Sequence, residues 1–511
     1  MARIRLAELC AATSLFTDLG TGQPQEHALR TCLVAMRLAD QLGLDETACR
    51  AVFYVSLLRF LGCTAGSDEV ARTAGGDEVA FLAGMAPVTM GSAQAELTRL
   101  VGLVARGEPL PKRLRALARA LVDPKAKARL LGAHCEVAVR LAARMGLPAG
   151  VAEALGFAYA RWDGRGVPHG VAGEQIPVAV PVATVARDLE LWARDAGTTA
   201  TVEMLRARRG RAYSPQVVDA ALAIGVDELR RCDADVWDVA LAREPPPVCE
   251  VDDSGVGDVL GALGDFADLK TPGLAGHAGR VARLAAAAGA ARGFDADRVQ
   301  ILQRAGLVHD LGMVSVPARA LAASRPTSSE WEQLRLHPMW TQRILLRCRG
   351  LDSVAALAGA HHERLDGTGY PHGPMASSLG SEAGVLACTV EFDLLTSANA
   401  HRAALDRDEA ASELRRQADD GALARPDVEA VLSAAGQPGA RPPTRWPGGL
   451  TDREVEVLRL VAQGHTNRQV ADVLWISPKT VGAHIEHIYA KADVSSRAAA
   501  TVFAMSHRLL G

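Results

Sequence analysis

Between residues 277 and 362 the sequence holds five histidines and an aspartate whose types and spacing suit metal ligation. His277 lies in a helical stretch, and His309 and Asp310 are adjacent in AGLVHDLGMVSVP. His337 lies in RLHPMW, and His361 and His362 are adjacent in GAHHERLDGTGYP. Imidazole and carboxylate are the usual ligands for Fe, Mn and Zn, and one carboxylate can bridge two ions. A lone histidine such as His337 is more often a half-buried surface residue than a ligand. The adjacent pairs are less ambiguous, because neighbouring polar residues at the end of an apolar helix are costly to bury without partners.

A second chemistry is written at the other end, in LTDREVEVLRLVAQGHTNRQVADVLWISPKTVGAHIEHIYAKADVSSRAAATVFA. Thr451 with Glu454 makes a capping box, and Gly464 stops the helix that follows. Thr466 with Gln469 makes another box. Ser477 can cap a third helix with Pro478 at its first position, where a missing N–H costs nothing. Short helices joined by a tight turn predict a helix-turn-helix, with Val470, Val473, Leu474, Val481 and Ile485 as its apolar seam. A small helical dimerisation bundle is the bland alternative, since acids and bases nearly balance here.

The elements that must position these residues are helical. The chain has 511 residues, which suggests roughly three domains. Hydrophobic residues make up 49%, charged residues 23% and aromatics only 4%. That balance predicts an all-α protein packed through small side chains. HAGRVARLAAAAGAARGF puts Val281, Leu284 and Ala285 on one stripe, with Arg280 and Arg283 off it. The net charge of −3 excludes a basic nucleic-acid coat, although a local basic helix is compatible with it. Nine cysteines with no C-x-x-C pair argue against a disulfide scaffold or zinc finger. No charged-then-apolar leader opens the sequence, and no apolar run approaches the ~18 residues of a membrane span. A cytoplasmic chain with no membrane partner is expected.

Two stretches read as linkers, REPPPVCEVDDSGVG and AGQPGARPPTRWPGG. They divide the chain into a helical domain at 1–243, a linker at 244–258, a second helical domain at 259–434, a linker at 435–449 and a tail at 450–511. The first two domains look like copies of one another. DLGTGQPQEHALR (Asp18 to Arg30) aligns with DLKTPGLAGHAGR (Asp268 to Arg280), and WDGRGVPHG (Trp162 to Gly170) with LDGTGYPHG (Leu365 to Gly373).

The spread H…HD…H…HH, with HHERLDGTGYP, resembles the HD-GYP branch of the HD phosphohydrolase superfamily. FADLKTP, EWEQLRLHP and the FDLLTS stretch support this over roughly Asp265 to Arg402. The resemblance implies a helical bundle around two Fe or Mn ions and hydrolysis of cyclic di-GMP. It implies that His277, His309, Asp310, His337, His361 and His362 are metal ligands, with Asp310 bridging and catalytic. Asp366 would assist catalysis, and Gly367, Gly369, Tyr370 and Arg402 would line the ligand pocket. Three positions depart from the family pattern. Met313 replaces the usual Lys and Val390 the usual late Asp. The R-P-Y-R element reads Asn399, Ala400, His401, Arg402. A missing cation, ligand and phosphate contact together imply weakened hydrolysis. In the first copy His27 and His134 remain, but Arg59, Phe60, Ala158 and Tyr159 replace the HD and HH pairs. A metal centre of that kind is excluded there, and a structural or sensory role is expected.

The tail resembles the LuxR-type helix-turn-helix through LT-x-RE-x-EVL, G-x-[ST]-N, S-x-KTV-x-x-H and K-x-x-VSSR-x-x-A. That resemblance implies double-stranded DNA as partner, with the third helix in the major groove. Thr466, Asn467, Lys479, Thr480, His484, His487 and Lys491 would lie at the interface, with Lys479, Thr480 and Lys491 mainly holding phosphates. Gly482, Ala483 and Glu486 would face bases. The fourth helix, near Ser496 to Met505, would be the face of a homodimer. The whole predicts two HD-type bundles, the first degenerate, followed by a four-helix LuxR-type module. The leading expectation is a transcriptional regulator sensing a cyclic dinucleotide or another phosphorylated small molecule. A metal-dependent phosphodiesterase with an appended DNA-binding domain is the alternative, and a scaffold in which both bundles only pack is a third.

Overall fold

The computed structural model describes residues 3–106, 109–122, 125–271, 273–323, 325–373, 379–397, 403–436 and 446–510. Among them the chain is helical throughout, as expected, apart from one short antiparallel ladder pairing Ile4–Arg5 with Glu250–Val251. It divides into two compact units. One is Met1–Val256 with Pro317–Arg319, and the other is Gly257–Val316 with Ala320–Gly511. No described helix is long and apolar enough to cross a membrane.

The expected linker at 244–258 is ordered. Glu250 and Val251 pair with the N-terminal strand, and the helix Asp253–Asp268 begins inside the predicted linker. Buried Glu244 accepts a hydrogen bond from the Tyr54 hydroxyl at 2.6 Å. The prolines and acids that read as a linker instead form an extended return to the first unit's edge. Within the second expected linker, residues 437–445 lie outside the described set, and Pro447–Gly449 forms a short 3-10 turn.

Each copy builds its first helices with the same devices. Asp18 accepts from the Ala28 N–H, and Asp268 from the Ala278 N–H, so each carboxylate caps the helix that its histidine opens. Asp45 and Asp295 are N-caps accepting from the Ala48 and Arg298 amides at 2.8 and 2.9 Å. Such caps contribute about 1 kcal/mol each. The low aromatic content is matched by close backbone approach. A Cβ on Gly306 would sit 2.8 Å from Ala282 Cα, so the helices His277–Ala291 and Ala296–Val308 meet through small residues. The first copy adds helices between Gly62 and His134, from Ser67–Ala74 to Leu110–Val122.

Candidate metal centre and DNA-reading module

The sequence-predicted ligands converge from four places in the second unit. His277 begins the helix His277–Ala291, and His309 ends Ala296–Val308. His337 begins His337–Leu345, and His361 and His362 follow Asp352–Gly359. Asp310 sits at φ −98°, ψ 11°, the sparsely populated bridge region where many functional residues lie. Gly312 makes this convergence possible. A Cβ there would lie 2.1 Å from the His337 carbonyl oxygen, so only glycine lets the HD turn and the His337 helix meet. The Gly312 N–H donates to Thr341 Oγ1, which in turn donates to the His309 carbonyl.

Asp310 stands at the centre. Its Oδ1 lies 3.2 Å from His337 Nε2 and 3.4 Å from His361 Nε2. Its Oδ2 lies 3.7 Å from His277 Nε2 and 3.6 Å from His309 Nε2. Two groups with metal-ligand spacing share it: His277, His309 and Asp310, and Asp310, His337, His361 and His362.

The protonation pattern tests whether a cation fits. His309, His337 and His361 direct Nδ1 to the carbonyls of Gly306, Leu334 and Ala358 at 3.0, 2.6 and 2.7 Å. A carbonyl only accepts, so each Nδ1 carries the proton and each Nε2 presents a lone pair. His337 Nε2 and His361 Nε2 are nevertheless 3.1 Å apart. Two facing lone pairs beside a carboxylate fit a shared cation, and this N/O donor set suits Fe, Mn or Zn. Burial pushes the His309 imidazole down to about 3, which keeps it neutral and ready to ligate. Burial pushes the Asp310 carboxyl up, but the imidazoles of His309, His337 and His361 outweigh it and hold it well below the usual carboxylate range.

Asp393 and Glu363 were not singled out from sequence. Asp393 Oδ2 lies 2.6 Å from His277 Nδ1, and Arg280 holds the carboxylate at 2.8 and 2.9 Å. A carboxylate behind a ligating imidazole orients it and raises its basicity. Burial alone would lower the His277 pKa, but Asp393 outweighs it and raises it. Buried Glu363 accepts from the His372 and Gly373 amides at 2.6 and 3.1 Å and pins the loop after the histidine pair. The only signals were membership in FDLLTS and HHERLDGTGYP.

The positions that depart from the family pattern differ in their surroundings. Val390 is buried, and Glu391 beside it is taken up by Arg364 at 3.0 Å and Gln417 at 3.2 Å. Met313 is half-buried in the turn Leu311–Ser315. Asp366, expected to assist catalysis, is exposed and outside both ligand groups. Its carboxylate accepts from the Thr368 amide and hydroxyl at 3.0 and 2.7 Å, so it shapes the loop. Gly367 supplies a turn at φ 76°. Gly369, expected in the pocket lining, is buried, and a Cβ there would lie 2.4 Å from Arg364 N. Tyr370 stacks on His362 with centroids 4.6 Å apart, and the Arg335 guanidinium lies 5.4 Å from its ring centroid. Arg402, with Asn399, Ala400 and His401, lies outside the described residues.

The tail folds as Asp452–Ala462, Asn467–Leu474, Pro478–Ala492 and Arg497–Ser506. Both capping boxes form, and Ser477 accepts from the Thr480 amide at 3.0 Å. On the third helix Lys479, Ala483, Glu486 and His487 are exposed at the spacing of one helical face, while Val481 and Ile488 are buried on the other. Gly482 and His484 are half-buried, and the Thr480 hydroxyl bonds that of Ser477 at 2.8 Å. The Thr466 side chain is used by its cap, and Asn467 Oδ1 accepts from Arg497 at 3.1 Å. Lys491, expected on a phosphate, pairs with buried Glu454 at 2.7 Å, a carboxylate that needs a cation. Val473 is a correction, 51% exposed rather than in the seam. Trp475 beside it, at φ 54°, is 93% exposed. Ala499 through Met505 are buried.

Comparison with known proteins identifies the domains that carry these two regions. Residues 262–423 match the HD domain family, and 449–504 match the luxR family of bacterial regulatory proteins. The chain carries an HD domain followed by a LuxR-type DNA-binding domain. It is 26% identical over 412 residues to 3'3'-cGAMP-specific phosphodiesterase 3 of Vibrio cholerae, covering 79% of this chain and 89% of the relative. Over 61 residues it is 46% identical to the transcriptional regulatory protein LiaR of Bacillus subtilis, covering 12% of this chain and 29% of the relative. A crystal structure of a cyclic GMP-AMP specific phosphodiesterase of V. cholerae shares the fold. Its TM-score is 0.57 at 21% identity, over 86% of this chain and 99% of that one.

Proposed function

We propose that the chain is a cytoplasmic transcriptional regulator whose HD-type bundles respond to a nucleotide or another phosphorylated ligand, a cyclic dinucleotide foremost. One observation carries the reading. An open stripe of Lys479, Ala483, Glu486 and His487 lies on the third helix of a LuxR-type module, in the same chain as two His/Asp groups with metal-ligand spacing that share Asp310. His277, His309 and Asp310 would hold one ion, and Asp310, His337, His361 and His362 the other, iron or manganese by resemblance. Bound metal supplies Lewis acidity toward a phosphoryl group. Asp393 orients His277, the three backbone carbonyls orient His309, His337 and His361, and Tyr370 with Arg335 offers a ring and a charge to a base and a phosphate. Lys479 would hold a DNA phosphate, and a homodimer would read two half-sites. The ligand acts by preferring one of two conformations or oligomeric states.

Fluorescence anisotropy of a duplex from the gene's own upstream region, with and without cyclic di-GMP or 3'3'-cGAMP, tests this. Salt-sensitive binding that either ligand shifts by about fivefold or more is expected. Absence of salt-sensitive binding to any duplex overturns it. The second reading, a metal-dependent phosphodiesterase, is favoured by the sharing of Asp310 between both ligand groups. Turnover of a cyclic dinucleotide that requires metal and vanishes in Asp310→Asn would establish it.

A further inference from the structure

In the first unit, three of the four residues that replaced metal ligands, Arg59, Phe60 and Tyr159, line a cavity of about 100 Å³. Arg59 and Phe60 occupy the positions of His309 and Asp310, His134 that of His337, and Tyr159 that of His362. The ungapped register that matches His134 with His337 and Tyr159 with His362 also matches Arg187 with Val390, and Arg187 lines the same cavity. Two positions tied to the metal site in the second copy therefore carry guanidinium groups here.

These charges are deeply buried and incompletely matched. Arg59 is 5% exposed and Arg187 6%. Arg59 donates from Nη1 to Thr184 Oγ1 at 2.9 Å, a neutral partner, and its Nε has none among the described residues. Arg187 donates to the Ala86 carbonyl at 3.1 Å and pairs with Asp188, whose carboxylate is shared with Arg208 and Tyr213. The Arg187 Nε is also buried with no partner among the described residues. Among the described residues no carboxylate lines the cavity. Burial, and then the charge of Arg187, pulls Arg59 below the ordinary arginine range. A buried guanidinium on the wall of a largely apolar cavity carries a desolvation cost that an anion would offset.

We propose that this cavity is an anion site that takes the phosphate of a nucleotide, held by Arg59 and Arg187 without metal and without hydrolysis. Guanidinium binds phosphate oxygens through paired N–H donors. Gln23 and Thr89 add polar contacts at the wall, and Leu82, Met85 and Leu131 offer an apolar side for the rest of the ligand. The site is independent of the metal centre in the second unit, so either assignment can fail alone.

The test is calorimetric titration of the full chain in chelator with three probes: inorganic phosphate, GMP and cyclic di-GMP. Asp310→Asn, Arg59→Met and Arg187→Met are compared with the native chain. Saturable binding of at least one probe is expected, unchanged in Asp310→Asn and weakened about 10- to 100-fold by either arginine substitution. GMP or phosphate binding alone identifies a monoester ligand, and cyclic di-GMP binding a diester; both support the site. A melting-temperature readout guards against misfolded variants. Removing an unmatched buried charge should leave the ligand-free Arg59→Met chain as stable as the native one or more so, while abolishing the stabilisation that the probe confers on the native chain. No saturable binding of any probe, or binding that survives both arginine substitutions, overturns the proposal. So does a ligand-free Arg59→Met chain that melts far below the native one while Arg187→Met binds normally.

Discussion

Gly312→Ala is the most informative perturbation of the metal centre, because the protein contains its own control. The added Cβ would lie 2.1 Å from the His337 carbonyl oxygen and 2.9 Å from its Cα. The obstacle is backbone, so no side chain can swing away. The His337 helix and the HD turn must part by about 1 Å to restore an ordinary contact, and overpacking of this kind costs about 1–3 kcal/mol. That displacement moves His337 Nε2 away from Asp310 and His361, now 3.2 and 3.1 Å distant, and opens the second ligand group. Gly62 is the counterpart, with a Cβ predicted at 1.9 Å from the His134 carbonyl oxygen. Gly62→Ala should therefore destabilise by a similar amount and leave metal content untouched, since the first copy lacks the ligands. Urea denaturation gives the stability loss, and elemental analysis of purified protein gives metal per chain. Equal metal loss in both variants, or full metal content in Gly312→Ala with the expected destabilisation, would refute the argument that this close approach sets the ligand geometry.

Four further outcomes follow from the structure. Asp393→Asn keeps the size but removes the charge behind His277, and metal affinity measured by chelator competition should fall about 10- to 100-fold. Lys479→Ala should weaken binding to all duplexes alike and lower the salt-dependence slope by about 1. Lys491→Ala should instead lower the melting temperature of the protein with that slope unchanged, because its charge is spent on Glu454. Burial raises the Glu454 carboxyl, but Lys491 and Thr451 outweigh it and hold it below its ordinary value of 4.5. A depressed folded pKa stabilises above the unfolded value and is lost as pH falls through the folded one. Thermal melts should thus show native stability declining below about pH 4.5, with a shallower decline in Glu454→Gln.

The helical class, the capping boxes at Thr451 and Thr466, the Ser477 cap and the convergent ligand set were legible in the sequence. Each depends on spacing along one or two helical turns, or on a motif that keeps its meaning locally. The duplication was legible for the same reason, since Asp18 and Asp268 sit at equal distances before His27 and His277. Where that local reading failed, partners were distant in the chain. The acids and prolines of 244–258 read as a linker, and the fold adds that Glu250 and Val251 within it pair with Arg5 and Ile4. The pairing of Lys491 with buried Glu454 joins residues 37 apart in the chain, and Val473 read as seam because helical period alone does not tell which side is covered.

The amino-acid order by itself determined which side chains were available, how they alternate along each helix and where each helix starts. Only the tertiary structure decided which charge meets which. It put Asp393 behind His277, directed three Nδ1 atoms to carbonyls so that their Nε2 lone pairs converge on Asp310, and left Arg59 and Arg187 around one cavity. Helix caps are set by short-range hydrogen bonding, whereas the protonation and pairing of a buried group depend on every element packed against it.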